Sequence, residues 1–483
     1  MKKSKLIMAM AAVLAITLML VGCGNKKDDL ETLTILYPGE ESERMTEFLD
    51  NEFAQKMKDE LGLKVEMVYV PWEQYWEQKD IMLAAQEPID LYWDGLPDLA
   101  TMVNKQQCLE LNDLIAEYGQ DMLKVVPQTQ LDGATIDGKI YGIASAYAPS
   151  SAMYQLVCVR QDILDAVGMT DINTAEDLKT YATKAIAMFP ELKGPADVII
   201  KPLTRYFAEE QYNFIASQDL VVFGEESQKA YCFYETEAFQ EVAKFNQSMY
   251  ADGLYSEDLT TKYNERDSRM QTGLYLWVEG SLGKDTEIIS TVKANAPDAT
   301  LKTYLLADEK PCYITAAGGE VLCVPVTAPN PEGAVKFMNW LYSSQENYLF
   351  TLYGVEGTDY EIVDGRINKI ESGDFFYEWM FRNSNYQLFA PEIEQAYIDQ
   401  YKSWDDNAIT SASLGFRFNN ENVKEIETAL TEIAGKEMAA IQCGFVDFDT
   451  NYPKAMEKMK DAGLDEYVAE VQRQLDEFKA AQK

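Results

Sequence analysis

Strand-like and helix-like segments alternate along the first part of the chain. Residues 32–38, 63–70 and 89–93 are apolar runs rich in β-prone side chains. Between them, apolar residues recur at helical spacing in 45–53 and 72–85. Because parallel strands need crossover helices, this alternation predicts a mainly parallel sheet covered by helices on both faces.

The rest of the chain adds a hairpin, a late strand and a helical C-terminus. Residues 136–143 contain an Asp-Gly pair between β-prone residues, which predicts a hairpin. Residues 319–326 predict a strand, and the segment beginning at Asn330 predicts the helix after it. Apolar stripes recur at helical spacing in the last 60 or so residues. A chain of 483 residues therefore has an α/β pattern with extra C-terminal helices, in two or three domains.

The charge and the missing histidine exclude several functions. Asp and Glu number 80 against 42 Lys and Arg, a formal net charge of −38. Such a chain repels phosphate backbones, so its charge disfavours nucleic-acid binding, and we expect no nucleic-acid partner. With no histidine, Ser-His-Asp and Cys-His catalysis and histidine-ligated metal sites are also excluded. We expect neither a cofactor nor a metal, and no enzymatic activity.

The N-terminus has the pattern of an exported protein. Three lysines within the first five residues precede 17 uncharged, mostly apolar residues, which predicts a signal peptide over 1–22. A membrane-spanning helix needs about 20 apolar residues and is the alternative. Leu20-Val21-Gly22-Cys23 resembles the lipobox of bacterial lipoproteins. That resemblance implies cleavage before Cys23, acyl chains such as palmitate on it, a tether over 23–31, and a lipid anchor on the outer side of the cell membrane.

Six further cysteines lie far apart and form no CxxC pair, so neither a zinc knuckle nor a thioredoxin-like site is supported. Their pairing stays open, because six cysteines allow fifteen full sets of disulfides. Wide spacing favours buried, free thiols that pack as small apolar groups. The six are Cys108, Cys158, Cys232, Cys312, Cys323 and Cys443.

Several short motifs follow one another in the order of a known family. They are Asp-Leu-Tyr-Trp at 90–93, Asp-Gly-Lys-Ile-Tyr-Gly-Ile at 137–143, Leu-Trp-Val-Glu-Gly at 276–280 and Asn-Pro-Glu-Gly-Ala-Val-Lys-Phe at 330–337. With the lipobox-like start and the opening strand–turn–helix, the chain resembles the family 1 extracellular solute-binding proteins, the maltose-binding-like receptors of ABC importers.

That resemblance implies a two-lobed, type II periplasmic-binding-protein-like α/β fold that closes on a ligand in the cleft. It places lobe 1 at 32–145 and 306–365, and lobe 2 at 146–305 and 366–483. The protein would act as a monomer and deliver its ligand to ABC permease subunits in the membrane.

A sugar or oligosaccharide is the expected ligand. A pyranose stacks one face on an aromatic ring, and its hydroxyls need polar partners. Trp93 and Trp277 match tryptophan positions of sugar-binding relatives and are expected to stack on the ligand from opposite lobes. The full set of candidate contacts is Trp93, Asp94, Trp277, Glu40, Glu41, Tyr147, Trp379, Arg382 and Asn383.

Each candidate has a simpler structural alternative. The two tryptophans could be core residues, the two glutamates a solvated turn, and Tyr147 part of the hinge packing. Trp72 and Trp76 share one helix face, which favours the core or the rim over the site.

Three other functions compete with a sugar receptor. A receptor of the same class could bind peptides or other small solutes. A secreted glycoside hydrolase needs only two suitably spaced carboxylates, which 80 acids could supply. A structural lipoprotein would bind no small ligand. The sequence also leaves the identity, length and linkage of the sugar open.

Overall fold

The computed structural model describes residues 30–145, 151–216, 220–256, 259, 265–315, 319–370, 375–391 and 393–481. Its strands are β1 Glu31–Pro38, β2 Leu63–Val70, β3 Leu91–Gly95, β4 Thr135–Ile136, β5 Lys139–Ile140, β6 Ile143–Ala144, β7 Leu156–Arg160, β8 Tyr212–Ala216, β9 Val221–Gly224, β10 Ala230–Cys232, β11 Trp277–Gly280, β12 Leu301–Leu305, β13 Tyr313–Ile314, β14 Glu320–Cys323, β15 Tyr360–Val363, β16 Arg366–Lys369 and β17 Ile409–Thr410.

Its α-helices alternate with these strands in the first half and dominate the end of the chain. They are α1 Glu43–Phe48, α2 Ala54–Leu61, α3 Tyr75–Ala84, α4 Leu99–Asn104, α5 Asn112–Tyr118, α6 Met122–Val125, α7 Gln128–Gly133, α8 Gln161–Ala166, α9 Ala175–Met188, α10 Lys201–Phe207, α11 Glu237–Ala251, α12 Arg266–Gln271, α13 Lys284–Asn295, α14 Pro331–Ser343, α15 Gln345–Tyr353, α16 Glu378–Phe381, α17 Gln395–Ser403, α18 Lys424–Ile433, α19 Ala439–Gln442, α20 Phe448–Asp461 and α21 Leu464–Ala481.

The first lobe is built on a five-stranded sheet in the order β2-β1-β3-β14-β6. Strand β1 is parallel to β2 and β3, as the alternating pattern predicted. The late strand β14 returns from far along the chain and is antiparallel to β3 and β6. The predicted hairpin is confirmed as β4 and β5, with Asp137 and Gly138 both at positive φ, as a type I′ turn requires.

The second lobe contains two smaller antiparallel sheets, β11-β7-β12 and β10-β9-β8. The helices from α18 to α21 share a buried cluster with the second of these sheets, in which Val221 and Phe239 pack with Leu430 and Tyr467. The predicted C-terminal helices are therefore confirmed, and they widen the second lobe rather than form a separate tail.

The buried side chains suggest lobe boundaries different from the expected ones. Ile367, Phe375 and Phe381 pack in the first-lobe cluster, although they fall in the stretch expected in lobe 2. Leu306 packs in a second-lobe cluster, although it falls in the stretch expected in lobe 1. We therefore propose that residues 366–370 and 375–388 belong to the first lobe and 306–315 to the second.

The cysteines of the described segments are all free, and all but the partly buried Cys312 are buried. This agrees with their expected role as small apolar side chains. In the part of the chain that the structure describes, no helix is both long and apolar enough to span a membrane.

Candidate ligand-binding site

Five aromatic side chains gather on the surface of the first lobe. We call Trp72, Trp76, Trp93, Tyr377 and Trp379 the aromatic shelf. The ring centroids of Trp93 lie 4.9 Å from Trp379 and 5.0 Å from Trp76, and Tyr377 stacks on Trp379 at 5.5 Å. Trp72 and Trp76 are 42% and 47% exposed, so their indole faces remain open to a ligand. Because aromatic rings this close constrain one another, the shelf offers a rigid apolar surface.

The shelf is assembled at the ends of strands. Trp72 follows Pro71 at the end of β2, and Trp93 lies in β3, in the same parallel part of the sheet. The Tyr75 hydroxyl donates to the Trp93 carbonyl at 2.8 Å and ties these two segments together. Trp379 comes from α16, nearly 300 residues later. Ligands of open α/β sheets bind near such carboxyl ends, which supports a site here.

A buried ion pair between Lys79 and Asp94 lies next to the shelf residues Trp76 and Trp93. Lys79 and Asp94 are 5% and 1% exposed, and their charged groups are in direct contact. The second Asp94 oxygen accepts from the Gly95 N–H at 2.7 Å. The Lys79 ammonium also lies 4.8 Å from the Trp76 ring centroid. Since both Asp94 oxygens are occupied, the carboxylate positions Trp76 and Trp93, and its predicted contact with a ligand is disfavoured.

The turn after β1 brings Glu40 and Glu41 beside the shelf. Gly39 has φ +118°, and a Cβ there would lie 2.7 Å from the Tyr377 hydroxyl oxygen. Only glycine accepts both this backbone conformation and this close approach. Glu40 and Glu41 are exposed just beyond that contact. Their expected role in ligand binding stays a prediction.

Arg382 and Asn383 follow the shelf residue Trp379 but differ in orientation. Asn383 is fully buried, and its side-chain oxygen accepts from the backbone N–H and the amide group of Asn385, both at 3.1 Å. Its predicted ligand contact is therefore disfavoured. Arg382 lies near Glu320. Burial raises the pKa of the Glu320 carboxyl, and the positive charge of Arg382 partly offsets this rise. Its ligand role stays a prediction, and Tyr147 lies outside the described residues.

The structure does not bring Trp277 to the shelf. Its side chain is completely buried in the second lobe, with the Tyr181 ring centroid 6.0 Å away. In this position the indole has no open face for stacking, which favours core packing, the alternative to ligand contact. Glu279, two residues further along β11, lines a cavity instead. Strand β11, which contains most of the motif at 276–280, therefore contacts the cavity through Glu279 and not through Trp277.

That cavity, of about 270 Å³, lies in the second lobe, and we call it the second-lobe cavity. Its walls include the carboxyl groups of Asp197, Glu225 and Glu279. Burial raises the pKa of Asp197 to about 7, with a further contribution from Glu279, and the nearby Arg266 opposes the change. Burial likewise raises the pKa of Glu225 to about 7. The sequence pattern singled out neither Asp197 nor Glu225, because no local spacing distinguishes them from the other acids.

Tyr154 connects the second-lobe cavity with the first lobe. It lines the cavity, it is 46% exposed, and its hydroxyl oxygen lies 2.9 Å from where a Cβ of Gly319 would stand. The Gly319 carbonyl accepts from the backbone N–H of Leu96 at 2.9 Å, and Leu96 lies three residues after Trp93 in the chain. These contacts place Tyr154, a residue of the cavity wall, beside the paired strands β3 and β14, the first of which carries Trp93. Within the described segments, no cluster of acidic or cysteine side chains is suited to hold a metal ion.

Two family profiles match the chain. One, described as a bacterial extracellular solute-binding protein, matches residues 51–355. The other, a domain of unknown function, matches residues 412–480, which hold the helices from α18 to α21.

Known proteins are similar over nearly the whole length. A carbohydrate ABC transporter substrate-binding protein of Streptococcus pneumoniae serotype 4 is 24% identical over 97% of each chain. The crystal structure of an N-glycan transport solute binding protein from S. pneumoniae has a TM-score of 0.78 at 21% identity, covering 94% of this chain and 100% of that one. Its complex with Man1GlcNAc has a TM-score of 0.76 at 20% identity, with 93% and 100% covered.

These solved structures share the two-lobed α/β fold described above. The solute-binding profile spans more than half of the residues, in agreement with the motif order found in the sequence. The chain belongs to the family of bacterial extracellular solute-binding proteins.

Proposed function

We propose that this protein binds a carbohydrate between its lobes and delivers it to the permease of an ABC importer. The observation that carries the proposal is the aromatic shelf, with its two half-exposed tryptophans on a rigid first-lobe core. The name of the S. pneumoniae relative and the Man1GlcNAc bound to the solved neighbour support a carbohydrate over a peptide.

The shelf matches the chemistry of a sugar ring. An exposed indole presents a flat apolar face, which the C–H groups of a pyranose cover without losing hydrogen bonds. Trp72 also donates its ring N–H to the Tyr377 hydroxyl at 3.3 Å, which orients both rings. A ligand held on the shelf and touching the second lobe would favour the closed arrangement, because only the closed state makes both sets of contacts.

Isothermal titration calorimetry of the Trp72→Ala variant tests this proposal against the carbohydrates that the wild type binds. Loss of one stacked ring should remove about 2 kcal/mol, which weakens binding by roughly 30-fold. Tyr250→Ala is the matched control, because Tyr250 is 40% exposed on α11 of the other lobe. It should leave the affinity unchanged.

Three outcomes would contradict the proposal. Unchanged affinity in Trp72→Ala would remove the shelf from the site. A thermal shift with peptides and none with saccharides would favour a peptide receptor. Release of product from chromogenic glycosides would indicate a hydrolase.

We also infer that the mature protein is a monomer that begins at an acylated Cys23 and is held at the outer side of the cell membrane. The apolar run that ends in Leu20-Val21-Gly22-Cys23 supports the acylated start and the membrane anchor. Mass spectrometry of the protein from the membrane fraction should find a lipid-modified N-terminal cysteine, and an unmodified Cys23 would contradict the anchor.

A further inference from the structure

Glu225 holds an unused hydrogen-bond acceptor inside the second-lobe cavity. Its side chain lines the cavity, and the residue is only 6% exposed. The atom Oε1 is buried and has no hydrogen-bond partner among the described residues. The side-chain oxygen of Gln155, which lines the same cavity, is buried and unpartnered in the same way. Leaving buried acceptors unpaired is costly, so the cavity is suited to a group that donates hydrogen bonds.

The other acids of the cavity are already engaged. Oε2 of Glu279 accepts from the backbone N–H groups of Ile200 and Lys201, at 2.6 and 3.0 Å. The Asp197 carboxylate faces the Arg266 guanidinium at 3.5 Å. These contacts leave Glu225 as the acidic side chain of the cavity that can accept from a ligand.

Arg205, a cation of the cavity wall, has no donor to spare for an acidic ligand. Its five N–H groups donate to the Gln211 side chain and to backbone carbonyls of Leu306, Ala307, Lys310 and Pro311. The buried, unpartnered side-chain atoms of the cavity wall, Oε1 of Glu225 and Oε1 of Gln155, are both acceptors, which matches hydroxyl or amide donors.

The size and the walls of the cavity suit one sugar ring. Its volume of about 270 Å³ is just below the range of pockets that hold drug-sized ligands. Tyr154, Tyr212 and Tyr313 contribute aromatic walls beside the polar groups. Ring faces beside polar acceptors suit the C–H face and the hydroxyl groups of a sugar ring.

The distance between shelf and cavity determines how long the ligand must be. Trp93 pairs with Leu322 across β3 and β14, and Gly319, three residues before Leu322, meets Tyr154 at the cavity. At about 3.3 Å per residue, the backbone from Leu322 to Gly319 spans about 10 Å, so the edge of the cavity at Tyr154 lies about this far along the sheet from the strand position of Trp93. That is more than the width of one pyranose ring, so a single ring cannot occupy both places.

Resting on the proposed function, we propose that the second-lobe cavity is a subsite for the terminal ring of an oligosaccharide. A hydroxyl or amide group of this ring donates to Oε1 of Glu225 while a preceding ring stacks on the aromatic shelf. The ligand class is thus an oligosaccharide of several linked rings, and a monosaccharide engages only one of the two places.

The environment of Glu225 agrees with this role. Burial raises its pKa to about 7, the Ser411 hydroxyl opposes this change, and the neighbouring Glu210 adds to it. A hydrogen-bond donor of the ligand would stabilise the charged form of Glu225, which burial in the unliganded protein disfavours.

The test uses the complete protein and a printed array of neutral glycans of increasing length, followed by calorimetry on the glycans that bind. The wild type should bind longer glycans at least tenfold more tightly than the corresponding monosaccharide. Glu225→Gln should remove most of this advantage. The adjacent, exposed Glu226 supplies the matched control, and Glu226→Gln should bind like the wild type.

The outcomes separate this inference from the proposed function. If the wild type binds no glycan, the proposed function fails. If it binds glycans with equal affinity at every length, or if Glu225→Gln keeps the full advantage, only the cavity subsite is overturned. Gln155→Leu removes the second unpartnered acceptor and should produce a smaller loss in the same direction. If Glu225→Gln does not fold, the binding of Gln155→Leu tests the subsite instead.

Discussion

Trp93 and Trp277 lie in strands of the two lobes, yet their surroundings differ. Trp93 is 9% exposed and forms the base of a shelf whose outer indoles are open. Trp277 is completely buried and packs near Tyr181 of α9. The difference lies in the neighbours, because Trp93 packs against half-exposed rings that can meet a ligand, whereas Trp277 lies inside the core.

The buried acidic side chains of the two lobes also differ in their surroundings. In the first lobe, the buried Asp94 is neutralised by Lys79 and serves to hold the shelf in place. In the second lobe, Asp197 and Glu225 face a cavity, and burial raises the pKa of each to about 7. The first lobe thus offers a rigid apolar surface, and the second offers acidic groups poised between two protonation states.

The largest expected effect is on stability in Trp277→Ala. Removing a fully buried indole leaves a void, so the free energy of unfolding should fall by about 4 kcal/mol. Ligand affinity of the folded fraction should stay unchanged. Trp76→Ala is the counterpart, because this 47% exposed side chain should affect affinity far more than stability. Urea unfolding and calorimetry measure both quantities, and a stable Trp277→Ala protein with weakened binding would reverse the comparison.

A loss of about 3 kcal/mol is expected from Lys79→Met, since removing one partner of a buried ion pair leaves an uncompensated charge. The stability should partly return in the double variant Lys79→Met with Asp94→Leu, which removes both charges. Lys64→Met is the control, because Lys64 and Glu66 form an exposed pair whose loss should have little effect. Urea unfolding of all three proteins is the measurement, and equal losses in Lys79→Met and Lys64→Met would show that the buried pair is unimportant.

The smallest effect is the pH dependence of the unliganded protein. Asp197 and Glu225 keep their protons to a higher pH in the folded protein than in the unfolded chain. Their contribution to stability is therefore complete at low pH and is lost as the pH rises through about 7. Between pH 6 and 7 the loss should be about 1 kcal/mol for each carboxyl.

Thermal unfolding between pH 5 and 8 measures this dependence. The double variant Asp197→Asn with Glu225→Gln should show a flatter profile than the wild type. A wild-type protein whose stability rises over this range would contradict the assignment of both groups.

The parts of the fold with local signals were predictable from the sequence. Strand-like segments that alternate with helix-like segments indicated the parallel strands, and the Asp137-Gly138 pair indicated the hairpin. The structure confirms both. The partners of Trp93 were not predictable, because Trp379 reaches it from 286 positions away. Trp72 and Trp76 were expected in the core or at the rim, and the structure leaves both half-exposed on the shelf.

The sequence by itself determined the α/β class, the helical C-terminus and the chemistry that the chain cannot perform without histidine. These follow from composition and from periodicity within one segment, which depend on neighbours along the chain. Only the tertiary structure decided which tryptophans are open, which acids are paired and which line a cavity. Exposure and pairing depend on segments hundreds of residues apart, and no local pattern records which of them will meet.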